Sequence, residues 1–384
     1  LGNITLVGHE INQAGTLTAS TSAIANGSIR LLARDQVSIG GASGPVFLMG
    51  QRKLDSNGIA AYISRETYED TDKANQPEFT TGTVGGTLTL AAGGKTQVLL
   101  DGSDGKTLAA DQTFITSSVE AAARQIVVAG TAGDKAGAVV EAKGGRIQLR
   151  TSKSFDLTTF AGDDALPAPD DALPAPQTAS APSGVGIFVG DGARLDASGA
   201  VAQKSVADLF IEVELRGDEF ANNPVQRNGA LRGEKAWVDI RDAVAIADLG
   251  GWTGRVGQTV AERAATGGTV SLRSTGSVVV KQGAGVDVSG GQVNFAAGSV
   301  QESRAVALSG QSYRLKDAPV AAAYAGLATV TREEAAYTEG KSAGKVELIG
   351  HSLAVDGKLK ATTTVGTRQR NVGNPAADRY AIPL

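Results

Sequence analysis

The sequence predicts an all-β chain wound as a parallel β-helix, a solenoid that carries inserted loops and short helices. Three observations point there: a short phrase, Gly-x-aliphatic-x-aliphatic, recurs in six copies; 50 glycines interrupt 384 residues; and only nine Phe, six Tyr and two Trp are present. In each phrase two aliphatics fall on one face and polar residues on the other, as a half-buried strand requires. Repeats of this kind cannot bury their apolar side alone, so successive turns stack into one narrow column with little room for aromatics.

The first phrase, GNITL, starts at Gly2 and the second, GSIRL, at Gly27, followed by the alternating run VSI from Val37 to Ile39. The segment 43–83 breaks the rhythm, carries a charged run, and is expected to project as an inserted loop with a short helix. GTLTL at Gly86 resumes the pattern. The DGSDG stretch at Asp101 lacks the order and the distal Glu of a calcium loop and is expected to be a turn. Ser117 and Glu120 stand at capping-box spacing and predict a helix over residues 117–125.

GRIQL follows at Gly145. Residues 161–184 hold DDALPAP in tandem and five of the eleven prolines, which cannot donate to a ladder, so this is a Pro-rich loop or linker. GARLDASG at Gly192 and GAGVDVSG at Gly283 share Gly-Ala-x-aliphatic-Asp-x-Ser-Gly and mark a third strand per turn of the solenoid. Between them, residues 208–236 form a charged inserted loop, and GTVSL at Gly268 leads into VVV from Val278 to Val280. A further helix is expected to open at Thr331 with Glu334 at capping-box spacing. GKVEL at Gly344 and LAV from Leu353 to Val355 close the series. Glycines at the corners are attributed to the positive φ that tight turns need.

The two histidines, His9 and His351, occupy matching places in GNITLVGHEINQAGTLTAS and GKVELIGHSLAVDGKLKAT. At about 20 to 30 residues per turn of the solenoid, the intervening chain would make about ten to fifteen turns and separate the histidines by roughly 50 to 70 Å. They therefore mark repeated architecture and not a shared metal or proton site.

Composition excludes several functions. A formal net charge of -4, with 36 basic and 40 acidic residues scattered along the chain, offers no basic stripe for nucleic acid. Zero cysteines remove disulfides, thiolate metal sites and cysteine nucleophiles. No stretch approaches the ~20 apolar residues needed to cross a bilayer, so no transmembrane segment is expected. The opening residues lack a signal peptide and enter directly into a repeat, so a fragment of a longer polypeptide is expected.

No constellation suggests catalysis, and no catalytic residue, metal ligand or cofactor is assigned. Asp239, Asp242 and Asp248 could face one another as glycosidase acids, and are equally explained as solvated surface. Arg194 beside Asp191 and Asp196 resembles a polysaccharide lyase grouping, yet Asp196 recurs as Asp287 with the repeat and reads more simply as a ladder or turn residue.

The stretch GGTVSLRSTGSVVVKQGAGVDVSGG from Gly267 to Gly291 resembles the repeats of filamentous haemagglutinin-type exoproteins, the passengers of bacterial two-partner secretion. The ordered series VELRGDEFANNPVQRNGALRG from Val213 to Gly233, WVDIR, and VGQTVAERAATGGTVSLRS from Val256 to Ser274 is similar to a haemagglutinin-like outer-membrane-associated region. The resemblance implies a right-handed parallel β-helix, secretion or cell-surface location, and an outer-membrane two-partner-secretion transporter as partner. It further implies a structural and adhesive shaft that meets a host or bacterial surface receptor or glycan and performs no chemistry. The alternatives are a polysaccharide lyase or glycoside hydrolase on the same scaffold, and the stalk of a contact-dependent toxin. The weak binding candidates are Glu214, Arg216, Asp218, Glu219, Arg227 and Arg232, because their loop is long, charged and interrupts the strands.

Overall fold

The computed structural model describes residues 2–33, 52–54, 60–62, 86–103, 105–152 and 184–369. Chain order begins with β1 (Asn3–Gly8), β2 (Glu10–Gln13), β3 (Thr16–Thr21) and β4 (Ser28–Ala33). A short antiparallel pair follows, β5 (Arg52–Leu54) with β6 (Ala60–Tyr62), then β7 (Thr87–Leu90), β8 (Lys95–Leu100) and β9 (Leu108–Ala109). Next come β10 (Ser118–Ala123), β11 (Gln125–Val128), β12 (Val139–Ala142), β13 (Arg146–Thr151), β14 (Gly186–Val189) and β15 (Arg194–Asp196). Beyond an excursion holding β16 (Val201–Ser205), β17 (Phe210–Glu214), β18 (Lys235–Asp239) and β19 (Gly257–Gln258), the chain forms β20 (Thr269–Ser274), β21 (Ser277–Val280) and β22 (Gly285–Asp287). A second excursion holds β23 (Gln292–Ala296), β24 (Gly298–Ala307), β25 (Ser312–Arg314), β26 (Tyr324–Glu334) and β27 (Tyr337–Gly340). The chain then makes β28 (Lys345–Ile349), β29 (Ser352–Val355) and β30 (Lys358–Lys360).

The fold is all-β, and its frame is three six-stranded parallel sheets. Sheet A runs β1-β4-β10-β13-β20-β28, sheet B β2-β7-β11-β14-β21-β29, and sheet C β3-β8-β12-β15-β22-β30. The chain visits A, B and C in turn and repeats the circuit six times. Side-chain alternation then decides the register, because a slip of one residue would turn every aliphatic outward. In sheet A, Leu6, Leu31, Ala121, Leu149, Leu272 and Leu348 lie in one row, with Ile4, Ile29, Val119, Ile147, Val270 and Val346 in another. Ile11, Leu88, Ile126, Ile187, Val278 and Leu353 form the matching row of sheet B. Apart from Leu353, these rows meet in one hydrophobic cluster that also takes in Val140, Leu195 and Val286 of sheet C.

Five of the six phrases begin sheet A strands; the sixth, GTLTL at Gly86, begins β7 of sheet B. At Gly27, Gly145, Gly268 and Gly344 the glycine that opens the phrase is needed for closeness and not for φ. A Cβ on Gly145 would lie 2.3 Å from the Ser117 carbonyl oxygen, on Gly268 2.0 Å from that of Gly145, and on Gly344 1.7 Å from that of Gly268. Positive φ is the reason at the sheet C corner, where Gly192 (+78°) and Gly283 (+83°) open the Asp-x-Ser phrase.

Several expectations are corrected. Residues 117–125 contain a strand and not a helix: Ser118–Ala123 pairs on both sides with β4 and β13. The residues at capping-box spacing are used across the ladder, Ser117 Oγ lying 2.8 Å from Thr21 Oγ1 and Glu120 3.3 Å from Arg30 Nε. Strand pairing overrides the helix propensity of the alanines. Thr331 and Glu334 likewise end β26, which pairs with β24 over ten positions. Helical turns occur elsewhere: α1 (Pro224–Arg227), α2 (Gly250–Thr253) and α3 (Val260–Arg263), the last with a capping box from Thr259 and Glu262. The circuits number six and not ten to fifteen, because excursions consume the remainder. Five inter-strand steps put His9 and His351 about 24 Å apart along the stack. Both occupy the A-to-B corner, where Thr87 N donates to His9 O and His351 N to Gly276 O.

Among the described residues, long excursions leave at the C-to-A corner, over 197–268 and 288–344, whereas every B-to-C connection spans two to ten residues, from 14–15 to 129–138. Apart from the backbone of β5 and β6, the inserted loop 43–83, its expected helix and the run Val37 to Ile39 lie outside the described residues, as does the Pro-rich segment 161–184 up to Gly184.

Leu149 is fully buried, so Leu149→Ala is expected to cost ~2–5 kcal/mol, read as a lowered urea midpoint, whereas Gln148→Ala on the outer face should cost under about 1 kcal/mol. Gly268→Ala should destabilise at least as much as Leu149→Ala, because the obstructing atom is backbone.

Candidate functional site

The two long excursions from the C-to-A corner build a side unit. At its base β16 pairs in parallel with β23, and β23 antiparallel with β27. Beyond that, β17 and β18 make an antiparallel hairpin and β24 is flanked by β25 and β26. Phe220, Leu215, Leu231, Val213 and Val238 pack with Ala305, Leu315 and Tyr324 in a hydrophobic cluster separate from that of the three sheets. The charged insertion expected at 208–236 is thus part of a longer excursion, and both its limits fall near or within paired strands.

The unit is held by buried charge. Arg241 donates from Nε and NH2 to both carboxylate oxygens of Asp239, at 2.7 and 2.5 Å, and from NH1 to Tyr337 Oη at 3.0 Å. Glu334 takes Arg368 at 2.8 Å and also Arg332, which reaches Glu302 at 2.9 Å. Arg241 and Arg332 lie over the Phe210 ring, and Arg368 lies 4.1 Å from the centroid of Tyr337, which stacks on Phe295. Buried carboxylates survive only with such compensation. Sequence reasoning missed this network because its members come from residues 239–241, 302, 332–334 and 368, and no local spacing connects them.

Against this network opens a cleft of about 510 Å³. Its walls include Glu219, Asn223, Asp242, Asp248 and the apolar residues Val244 and Leu249. Local bonds set its shape. Asn223 caps α1 through Oδ1 and donates from Nδ2 to the carbonyls of Ile246 and Val320 at 3.3 and 3.4 Å. Glu219 accepts from Trp252 Nε1 at 2.9 Å and from Arg216 N at 2.8 Å, while its own carbonyl takes Asp248 N at 2.7 Å. Burial opposes ionisation of Glu219, but these hydrogen bonds and the Arg216 charge outweigh it and hold the carboxyl below its ordinary range.

Of the six binding candidates, the structure brings only Glu219 to the cleft. Glu214 and Arg216 pair with each other at 2.7 Å on the surface, and Asp218, Arg227 and Arg232 are exposed elsewhere. Of the three acids, Asp239 is consumed by Arg241, whereas Asp242, 3.7 Å from Lys316, and exposed Asp248 line the cleft. Arg194 is exposed on sheet C. Asp196 is a ladder residue: Ser198 donates to it from N and Oγ, at 2.9 and 2.7 Å, and Lys143 at 2.6 Å. Asp287, its partner in register, repeats the pattern with Ser289 N at 2.8 Å and Lys360 at 3.0 Å. The Asp-x-Ser of the repeat is therefore a self-capped turn. Asp101 makes the same kind of turn, accepting from Ser103 N at 2.9 Å.

Two carboxyls, Glu334 and Glu347, are lowered furthest. Burial disfavours the charged form of Glu334, but Arg332 and Arg368, with Arg241 nearby, bring it from an ordinary 4.5 to about 2. Glu347 on sheet A is also burdened by burial, and Lys345, Arg273 and Ser271 bring it to about 2. A depressed folded-state pKa contributes stability that is complete above about 4.5 and is lost as pH falls toward about 2. Thermal unfolding midpoints are therefore expected to fall through that window, and Glu334→Gln with Glu347→Gln should lower stability at neutral pH and flatten the fall.

Among the described residues no group of three or more His, Asp or Glu could hold a metal ion, and no helix is long and apolar enough to cross a membrane. Compared with known proteins, the chain matches no family model, no curated protein and no solved structure.

Proposed function

We propose that the three sheets are the faces of one right-handed parallel β-helix, and that the chain is a shaft segment of a large secreted bacterial surface protein that displays side units for attachment. One observation supports this most directly. Strands visit three parallel sheets in strict rotation over a common aliphatic core, while among the described residues the long excursions leave between sheets C and A and none leaves between B and C. Such an arrangement separates a load-bearing frame from the segments free to vary and to make contacts.

The chemistry of the frame agrees with a passive role. The acids that recur with the repeat, Asp196 and Asp287, are bound to lysines and to their own turns. The charges in the side unit mostly neutralise one another. On this reading the protein reaches the surface through an outer-membrane transporter of two-partner secretion, and the side unit meets a host or bacterial surface receptor or glycan.

An attachment assay tests the proposal. Beads coated with the full chain are expected to adhere to bacterial or epithelial cell layers above beads coated with acid-unfolded chain, and uronate polymers incubated with the chain and calcium should yield no unsaturated product. Absence of attachment to every layer, or accumulation of cleaved product, would overturn it; the second outcome would favour a polysaccharide lyase.

A further inference from the structure

We infer that β26 pairs with the β26 of a second copy of this chain, antiparallel about a two-fold axis at Val330, so that two side units join edge to edge in one continuous sheet. The pairing goes beyond the attachment role proposed above and does not depend on it. Three observations carry it.

The first is an open edge. β26 lies at the margin of the sheet β25-β24-β26 and is paired with β24 on one side. Among the described residues no backbone group on its other side has a partner. Ala328, Thr329, Val330 and Thr331 are exposed in succession, so both faces of the strand are uncovered there. What remains along that edge is a row of N–H and C=O groups at strand pitch, and another strand satisfies such a row best.

The second is the lack of protection. From Tyr324 to Thr331 the strand reads YAGLATVT, with no charge and no proline. Other margins are blunted. β25 is three residues long and ends on Arg314, Gly340 of β27 exchanges hydrogen bonds with Gln369, and exposed β30 carries Lys358 and Lys360. Shortness, cover and charge are the usual shields against edge pairing, and an edge that lacks all three is a pairing surface.

The third identifies the partner. β26 keeps regular register with β24 from Gly326 to Glu334, the irregularity lying beyond, opposite Val306 and Ala307. A two-fold axis at the middle of that stretch sets Val330 against its own counterpart and Thr329 against Thr331 twice, all favourable cross-strand pairs of β-branched residues. It also sets Ala328 against Arg332, Leu327 against Glu333 and Gly326 against Glu334, so every charged residue meets an uncharged one. Arg332 keeps its bonds to Glu302 and Glu334 within its own copy. The strand is complementary to itself.

Sedimentation of the full chain at rising concentration tests the pairing. A shift from one chain mass to twice that mass is expected in the micromolar range. Val330→Lys and Val330→Glu each bring like charges face to face at the axis, and each should weaken dimerisation about tenfold, whereas their equimolar mixture should recover it as a heterodimer. Variants that had merely unfolded would not recover on mixing. Because the chain has no cysteine, Val330→Cys under mild oxidation should give a covalent dimer. Glu333→Cys should not, since its counterparts stand about 20 Å apart in this register. A single chain mass at every concentration overturns the proposal. So does a dimer insensitive to both charge variants, or one cross-linked through Glu333→Cys and not through Val330→Cys.

Discussion

The structure depends on keeping aliphatic side chains directly above one another through successive circuits of the chain. Each circuit is three short strands, too little to bury anything alone, and only neighbours on both sides bring residues such as Leu31, Leu149, Leu195 and Val278 to zero exposure. The requirement propagates outward. Register fixes which residues point away from the core, so Arg30 meets Glu120 and Asp196 lies beside Asp287. It also fixes how closely the corners approach, which is why Gly145, Gly268 and Gly344 lie against the backbone of the preceding circuit. At the last circuit the same rows emerge, and Leu353 and Leu359 are 50% and 42% exposed.

Much of the frame was legible because its signals are local. A glycine followed by two alternating aliphatics identifies a strand wherever it occurs, and the Gly-Ala-x-aliphatic-Asp-x-Ser-Gly phrase located two neighbouring strands of sheet C. What failed was non-local. Ser117 and Glu120 satisfy a helix-capping pattern in one dimension, yet their partners, Thr21 and Arg30, are about ninety residues upstream. The number of circuits was overestimated because a mean repeat length treats every residue as part of a circuit, while excursions such as 197–268 contribute none.

The same distinction governs the candidate site. A charged, strand-interrupting loop around residue 219 drew notice to the side unit, but charge density could not separate Glu219, held by Trp252 and facing a cleft, from Glu214 and Arg216, which satisfy each other on the surface. The buried Arg241, Asp239, Arg332 and Glu334 network was invisible for a related reason: it joins two excursions that share no sequence pattern. Its role is to hold a small unit together, with charge that is matched internally.

The proposal that a winding frame carries displayed units can be measured with site-specific labels, because the chain has no cysteine. Spin labels placed on Thr18→Cys and Lys360→Cys would occupy one outward row of sheet C, five strand spacings apart. Electron–electron distance measurement is expected to give a single population centred near about 24 Å, broadened by the label linkers. A distribution centred well beyond about 40 Å, or one without a defined maximum, would contradict stacked circuits and with them the account of the core, the corners and the displayed side unit.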